Sequence, residues 1–216
     1  MKIALLVAAG GSGRRFGQPG GKQLFIYRDK PLLIHTLEKF KDRVAQLIVV
    51  LRAQDLAAFQ EQLAKYALGR IDLAAGGAER CDSVRNGLAV LRADITHVFV
   101  HDGARPHVSP ELFDRLRREA EIYDAVIPVL PVTDTIKVVK DGAVVLTPKR
   151  SDLYAAQTPQ CFRRKTILQA YAEIDPSGCT DDAMLVEKLG VTVHTVPGDP
   201  ENIKITRPAD LPALKL

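Results

Sequence analysis

The sequence predicts an α/β fold, with a single doubly wound, mainly parallel sheet and a protruding β-hairpin arm. Apolar runs of strand length alternate with segments whose apolar residues recur at helical spacing. The first run, Lys2 to Ala8, stops abruptly at a glycine-rich stretch, which is typical of a strand buried on both faces. The alternation breaks where Asp141-Gly142 joins two apolar-rich segments, and this dipeptide is a strong hairpin signal.

The elements before the hairpin read as alternating strands and helices. Pro31 suits the first turn of the first helix, because its fixed φ is close to that of a helix. The strands are predicted at 2–8, 46–51, 71–75, 97–100 and 125–129, and the helices at 31–40, 56–68, 79–91 and 110–122.

The hairpin strands are predicted at 135–140 and 143–147, and they need another surface to pack on because an isolated hairpin is marginal in water. Thr180 is predicted to cap a later helix, with two aspartates favourable in its first turn. The remaining elements are helices at 164–174 and 181–189, strands at 191–196 and 202–206, and a final helix from Pro208. We expect one domain over residues 1–216, since 46% hydrophobic content supports a substantial core.

Composition argues against several classes of partner. The 30 basic and 26 acidic residues are mixed along the chain without a basic block, so nucleic acid is not implied. No apolar run reaches the roughly 18 residues that a membrane span needs, so no membrane partner is expected. Cys81, Cys161 and Cys179 are widely separated with no C-x-x-C pair, which indicates reduced thiols and a cytoplasmic protein.

The glycine loop, residues 4–23, has the layout of a phosphate cradle. It interleaves six glycines with Arg14, Arg15 and Lys22, and glycine allows backbone N–H groups to approach an anion closely. The P-loop pattern fails because Gln23 follows Lys22, and the dinucleotide fingerprint fails because phenylalanine occupies its third glycine position. A solvated surface loop is the alternative.

Two further polar clusters follow strands of the same predicted sheet. Gly76-Gly77 follows the third strand with Arg80 and Ser83, and Asp102 follows the fourth strand with Arg105. Ligands of doubly wound sheets bind beyond the carboxyl ends of the strands, so we expect these clusters to meet the glycine loop there. Taken singly, Asp102 could cap a helix and Arg80 could form a surface ion pair.

The residues expected in this crevice favour phosphoryl or nucleotidyl transfer. They offer cations and an aspartate, without a set of nucleophile, base and orienting residue. A phosphate monoester is already a nucleophile near neutral pH, and cations offset the charge that develops during an in-line displacement. Asp102 suits a hard divalent ion such as Mg²⁺. His101 is read as structural in preference to a general base.

Ordered motifs along nearly the whole chain carry a family resemblance. They are Ala8-Ala9-Gly10 with Gly13, Arg15 and Lys22-Gln23, then Gly76-Gly77 with Arg80 and Ser83, then His101 to Pro106, Pro131 to Thr135 with Lys137, Arg150, Gln157 to Gln160, Thr180-Asp181 and Asn202 to Pro208. On these residues the chain resembles the 2-C-methyl-D-erythritol 4-phosphate cytidylyltransferases of the non-mevalonate isoprenoid pathway. The resemblance implies a Rossmann-like nucleotidyltransferase fold.

The resemblance also implies an activity and an assembly. It implies transfer of CMP from CTP to methylerythritol phosphate, with a divalent cation such as Mg²⁺, in a homodimer whose hairpin arm, about residues 132–155, completes the neighbouring site. The implied catalytic residues are Arg15, Lys22, Arg150 and Lys204, the CTP-binding residues Ala8, Ala9, Gly10, Gly11, Gly13, Gly77, Ala78, Ser83 and Thr180, the substrate-binding residues Asp102, Arg105, Thr135, Arg150 and Lys204, and the metal ligand Asp102.

The chain departs from the family pattern at two places in the glycine loop. The loop is one residue longer than usual, so Arg14 competes with Arg15 for the key position, and Gly21 replaces the usual proline before Lys22. The alternatives are a ribitol 5-phosphate cytidylyltransferase, which shares much of the motif set, and a noncatalytic nucleotide-binding module. The Asp82-Ser83 pair and the context of Pro131 favour methylerythritol phosphate.

Overall fold

The computed structural model describes residues 1–11 and 24–213. Apart from two short strands at 26–27 and 30–31, which were not predicted, the chain alternates strands with helices up to the hairpin, as predicted. The strands are β1 Ile3–Ala8, β2 Ile26–Tyr27, β3 Lys30–Pro31, β4 Gln46–Leu51, β5 Ile71–Ala75, β6 His97–Asp102, β7 Ala125–Pro131, β8 Val138–Lys140, β9 Ala143–Leu146, β10 Tyr154–Ala156, β11 Gln160–Arg163 and β12 His194–Pro197. The α-helices are α1 Leu32–Glu38, α2 Leu56–Leu63, α3 Arg80–Leu88, α4 Pro110–Ile122, α5 Arg164–Glu173 and α6 Asp182–Lys188.

The central sheet has eight strands and is mainly parallel. Its order is β10-β7-β11-β6-β1-β4-β5, with β12 paired to the other side of β7. Strand β1 is parallel to both β4 and β6, and β5 and β12 are parallel to their neighbours. Strand β11 is antiparallel to both β6 and β7, so those two strands run in the same direction. The predicted doubly wound sheet is confirmed, and β10 and β11 are its two reversed strands.

The hydrophobic core forms one layer on each face of the sheet. Alternate side chains of a strand point to opposite faces, and in β1 Leu5 and Val7 enter one layer while Ala4 and Leu6 enter the other. The first layer is completed by α1, α2 and α4, and the second by α3, α5 and α6. Both faces are therefore covered, which is what parallel sheets require. Among the helices of the described residues, none combines the length and the apolar character of a membrane span.

Strand β11 was not predicted, although it joins the two halves of the sheet. It contributes only Cys161 and Phe162 to the core, and both are fully buried. Two apolar residues are too few to give a readable period, so the strand exists because β6 and β7 pair with it from both sides.

Three further predictions are corrected by the structure. Helix α1 begins at Leu32 and Pro31 precedes it as the last residue of β3, so Pro31 is not in the first turn. Residues 202–206 form no sheet ladder, because this segment docks on the loop after β6, where the Ile205 N–H donates to the Ala104 carbonyl at 2.8 Å. Thr180 does not cap α6, because the Asp181 carboxylate accepts the Met184 N–H at 3.0 Å instead.

The hairpin is confirmed as an exposed arm. Strands β8 and β9 pair antiparallel, and Asp141 and Gly142 turn between them with φ of 51° and 78°, the positive values that favour Gly and Asp. All residues from 133 to 147 are exposed. The arm carries a run of exposed apolar side chains, at Ile136, Val138, Val139, Val144, Val145 and Leu146.

Candidate active site

The carboxyl ends of β1, β5 and β6 bring the predicted clusters together. The Gly103 N–H, just after β6, donates to the carbonyl of Ala8 at the end of β1, at 3.1 Å. A Cβ built on Gly10 would lie 3.3 Å from the Ser83 hydroxyl, and one on Gly76 would lie 2.9 Å from it. Both glycines therefore pack against the Ser83 hydroxyl, and a side chain at Gly76 would displace it.

Ser83 organises the loop between β5 and α3. Its buried hydroxyl accepts the Gly77 N–H at 3.2 Å and donates to the Glu79 carbonyl at 3.2 Å. The Asp82 carboxylate accepts the N–H of Glu79, the residue before α3, at 3.1 Å. This holds Gly77 against the start of α3, while the preceding Gly76 lies beside Gly10, just after β1.

Asp102 is the centre of an ion cluster at the end of β6. Its Oδ2 lies 2.8 Å from Lys204 Nζ and 3.5 Å from Arg105 Nε, and its Oδ1 lies 3.8 Å from Arg80 Nε. Burial would by itself raise the pKa of this carboxyl, but Lys204, Arg80 and Arg105 together hold its pKa well below the ordinary value. Asp102 is therefore an anion inside a cationic ring at neutral pH.

Arg105 and Lys204 lie on two segments that hydrogen bonds hold together. Arg105 Nη1 donates to the Asn202 carbonyl at 2.6 Å, which ties the loop after β6 to the segment carrying Lys204. Asn202 is fully buried and donates to the Thr158 carbonyl at 2.8 Å. These contacts connect β6, the residues before β11 and the chain end, so the cluster is fixed by long-range packing.

His101 supports Asp102 and is not free to act as a base. Its Nε2 contacts the Arg105 carbonyl at 3.1 Å and must donate there, so its Nδ1 accepts from the Thr158 hydroxyl at 3.1 Å. The Thr158 oxygen in turn accepts the Asp102 N–H at 3.0 Å. Burial lowers the pKa of His101 to about 4, so the ring is neutral at pH 7 with both nitrogens engaged. The structural interpretation of His101 is the one this geometry supports.

The predicted site residues fall into four groups. Residues at the sheet edge are Ala8, Ala9, Gly10, Gly11, Gly77, Ala78 and Ser83, and those in the ion cluster are Asp102, Arg105 and Lys204. Gly13, Arg14, Arg15 and Lys22 lie outside the described residues. The fourth group, Thr135, Arg150 and Thr180, is exposed.

Arg150 and Thr135 lie at the arm and not in the crevice of the same chain. The Arg150 guanidinium donates to the Thr133 carbonyl at 3.0 Å, within the base of the arm. Among the described residues, no hydrogen bond or ion pair joins Arg150 to Asp102, Arg105 or Lys204. For Arg150 to act at the ion cluster, either its own arm moves or the arm of a second chain supplies it.

Arg80 was noted in the sequence but not assigned to the site, and the structure places it there. Its Nη2 donates to Asp182 Oδ2 at 2.7 Å while its Nε faces Asp102. Asp182 is fully buried and was predicted only as a first-turn helix residue. The sequence signal for it, an aspartate beside apolar Ala183 and Leu185, does not distinguish a buried carboxylate from a helix start.

The site suits a divalent cation that is held mainly by its ligand. Among the described residues, no group of three or more His, Cys, Asp or Glu side chains is placed to bind a metal. Mg²⁺ in nucleotide sites commonly takes one or two carboxylates and completes its shell with phosphates and water. The Asp102 carboxylate, ionised and at the edge of the crevice, fits that requirement.

Comparison with known proteins identifies the family. The sequence model of 2-C-methyl-D-erythritol 4-phosphate cytidylyltransferase matches residues 3–215. The chain belongs to this family. The cytidylyltransferase of that name from Frankia casuarinae is 44% identical over 213 residues, which cover 97% of this chain and 79% of that protein. The one from Clostridioides difficile is 40% identical, with 96% of this chain and 90% of that protein covered.

Solved structures of the cytidylyltransferase family share the fold. The 4-diphosphocytidyl-2C-methyl-D-erythritol synthase of Anaerococcus prevotii superposes with a TM-score of 0.83 at 31% identity, covering 97% of this chain and 94% of that one. The family's cytidylyltransferase from Francisella tularensis gives a TM-score of 0.83 at 29% identity, covering 98% and 97%. The predicted family, enzyme class and place in isoprenoid biosynthesis are confirmed, and they are favoured over the ribitol phosphate and noncatalytic alternatives.

Proposed function

We propose that the crevice at the carboxyl ends of β1, β5 and β6 binds CTP and methylerythritol phosphate and transfers CMP between them. The observation that carries this assignment is the cationic ring of Lys204, Arg105 and Arg80 around Asp102, next to the Gly10 and Gly76 backbones. A phosphorylated nucleotide needs both features, because cations attract its phosphates and a glycine backbone without side chains lets the phosphates come close to the N–H groups. The products are 4-diphosphocytidyl-2-C-methyl-D-erythritol and pyrophosphate.

The nucleotide is assigned to the glycine-lined side of the crevice. Ala8, Ala9, Gly10 and Gly11 lie at the end of β1, and Gly77 is held by Ser83 at the start of α3. We assign the base and ribose to the Gly77, Ala78 and Ser83 side, and the triphosphate to the glycine loop with Gly13, Arg15 and Lys22. Thr180, exposed beside α6, is assigned to the nucleotide as well.

The reaction follows from charge and positioning alone. A phosphate oxygen of methylerythritol phosphate attacks the α-phosphorus of CTP, a new P–O bond forms, and the bond to the β-phosphate bridging oxygen breaks in line. No proton needs to leave the nucleophile, because the phosphate is already ionised near neutral pH. Lys204 and Arg150 are proposed to position the attacking phosphate, and Arg15 and Lys22 to stabilise charge on the transferring and leaving phosphates.

A divalent cation, Mg²⁺ or a similar ion, is proposed to bind with the nucleotide through Asp102. When bound, it neutralises phosphate charge in the transition state. Lys204 Nζ lies 2.8 Å from Asp102 Oδ2. Since its side chain is 40% exposed, Lys204 can turn to the substrate phosphate when Asp102 takes up the cation.

We propose a homodimer in which the arm, about residues 132–155, completes the partner's site. The supporting features are the exposed apolar side chains of β8 and β9, and the position of Thr135 and Arg150 on the arm. Exposed apolar patches of this kind mark protein interfaces. The single domain over residues 1–216 and a cytoplasmic location also remain proposals, the latter supported by the free thiols of Cys81, Cys161 and Cys179.

Pyrophosphate release tests the proposed substrates. CTP with methylerythritol phosphate and Mg²⁺ should give rapid release, whereas ribitol 5-phosphate, or ATP or UTP in place of CTP, should give little. Asp102→Asn should lower turnover by roughly two orders of magnitude or more, because it removes the charge that balances the cationic ring. Asp114→Asn, the same change at an exposed carboxylate of α4 that pairs with Arg43, is the matched control. Faster release with ribitol phosphate would reassign the substrate, and no release with any pair would contradict the proposal.

A further inference from the structure

Arg80 lies between two carboxylates that belong to different parts of the fold. It is the first residue of α3, and its Nη2 donates to Asp182 Oδ2 at 2.7 Å while its Nε lies 3.8 Å from Asp102 Oδ1. The stronger contact is therefore the one to Asp182, outside the ion cluster. Burial opposes the charged guanidinium, yet Asp182 and Asp102 keep the pKa of Arg80 above its ordinary value.

Asp182 is held rigidly in turn by the second helical layer. It is fully buried, and its other oxygen accepts the Tyr171 hydroxyl of α5 at 2.6 Å. Burial together with Asp182 raises the pKa of Tyr171, so the phenol remains a hydrogen-bond donor. The backbone N–H of Asp182 donates to Gln160 Oε1 at 3.2 Å, which fixes the start of α6 against β11.

Stability alone does not explain this arrangement. Burying a carboxylate costs free energy, and replacing a buried ion pair with apolar residues is often neutral or stabilising. The Tyr171, Asp182 and Arg80 chain leads from a fully buried position to a half-exposed guanidinium beside the crevice. A guanidinium has five N–H donors. Because the guanidinium is planar and rigid, a hydrogen bond from one of these donors to Asp182 also fixes the directions of the other donors.

We propose that Asp182 and Tyr171 are positioning residues that hold Arg80 ready for the nucleotide at the mouth of the crevice. This inference rests on the proposed function, because it takes CTP as the ligand. Arg80 begins α3 directly after the Gly76-Gly77 loop assigned to the nucleotide, so the orientation of its guanidinium decides whether its donors meet the ligand or solvent. Ordering a long side chain before binding removes part of the entropic cost of association. Asp182 also balances the charge of Arg80, which limits how strongly Arg80 pairs with Asp102.

The test is a double-mutant cycle read out by CTP binding. Calorimetric titration with CTP, without the second substrate, gives Kd for the wild type and for Tyr171→Phe, Asp182→Asn and Arg80→Ala. Tyr171→Phe removes only the hydroxyl, and Asp182→Asn removes the charge with little change of shape. Each should weaken CTP binding about tenfold. Neither should weaken it further when combined with Arg80→Ala, because both act through that guanidinium.

Steady-state kinetics and a matched control separate positioning from folding. Tyr171→Phe should raise KM for CTP much more than it lowers kcat, whereas a loss of folded protein would lower the apparent kcat alone. Tyr123→Phe is the control, since Tyr123 ends α4 at the opposite, amino edge of the sheet and stacks on His194. It should leave Kd and KM unchanged.

Two results would overturn the inference. Unchanged Kd in Tyr171→Phe would do so, and so would the same fold-change from Tyr171→Phe in the presence and absence of Arg80. Tyr171→Phe alone decides the matter if Asp182→Asn does not fold. A wild type that fails to bind CTP would contradict the proposed function itself, whereas normal wild-type binding with insensitive variants contradicts only the positioning role.

Discussion

At the scale of single residues, the site is defined by an imbalance of buried charge. Asp102 faces three cations, Lys204, Arg105 and Arg80, and Asp182 pairs with Arg80, so these five groups together carry an excess of one positive charge. Such an excess is costly in a closed interior but is useful where an anion arrives, since a low-dielectric wall strengthens the attraction. Lys204 is the most exposed of the three, so it is placed to meet an incoming phosphate first.

His101 should make the folding stability depend on mildly acidic pH. Burial lowers its pKa in the folded protein to about 4, against an ordinary value of 6.5. The unfolded chain therefore binds the proton more readily, and stability that is complete above pH 6.5 is lost as the pH falls toward 4. The wild type should lose about 2 kcal/mol more than His101→Gln between pH 7 and pH 5.

Urea unfolding followed by circular dichroism at pH 5, 6 and 7 measures this difference. His97, whose pKa is also lowered chiefly by burial, is present in both proteins and cancels in the comparison. The depressed pKa of Asp102 contributes only below about pH 4, outside this window. Parallel slopes for wild type and His101→Gln would show that His101 titrates as an exposed histidine.

Residue types at strand ends could be predicted from the sequence, but their partners could not. Asp102 and Arg105 were placed at the end of β6 because an apolar run stops there. The contacts of Arg80 with Asp182, 102 positions away, and of Asp102 with Lys204 depend on how the chain end returns to the sheet. The local periodicity of apolar residues does not show which distant segments of the chain come into contact.

At the scale of elements, predictability followed length and regularity. Strand β4 was predicted to the residue because Gln46 is followed by an unbroken apolar run from Leu47 to Leu51, which ends at Arg52. Strand β11 and the segment 202–206 were missed or misread, since each is short and takes its conformation from neighbouring strands and loops. Both nevertheless build the site, because β11 fixes the start of α6 and the segment supplies Lys204.

The glycine loop is the element whose residue roles most need a measurement. Arg15→Ala should reduce turnover by orders of magnitude if Arg15 contacts the triphosphate, whereas Arg14→Ala should have a mild effect. The physical reason is that adjacent side chains on a loop point in different directions, so only one can face the same phosphate. Steady-state kinetics with CTP and methylerythritol phosphate distinguish the two, and the reverse ranking would shift the register of the loop by one residue.

At the scale of the whole molecule, the exposed arm indicates that a single chain leaves an interaction surface uncovered. Arg150 and Thr135 lie on the arm. The arm also carries apolar side chains that are exposed to solvent, and those of Val144 and Val145 are more than half exposed. A two-stranded hairpin does not bury these side chains by itself. A twofold dimer accounts for both features at once, because each arm would cover its apolar surface and deliver Arg150 to the partner.

Mixed dimers test this exchange directly. Lys204→Ala disables the crevice, and Arg150→Ala disables the arm, so each homodimer should be nearly inactive. If the arm acts across the interface, a mixed dimer combines one intact crevice with the intact arm of the other chain. Refolding the two variants together in equal amounts should then restore about a quarter of wild-type turnover, since half of the dimers are mixed and each has one complete site.

The control for the exchange pairs Lys204→Ala with Lys149→Ala, a neighbouring exposed cation of the arm. In that mixture the crevice of every Lys149→Ala chain should stay active, so turnover should be proportional to the fraction of Lys149→Ala chains. Mass spectrometry of the intact assemblies must show mixed dimers in both mixtures. If mixed dimers of Lys204→Ala and Arg150→Ala form and stay inactive, each site is built within one chain, and Arg150 must reach Asp102 by a movement of its own arm.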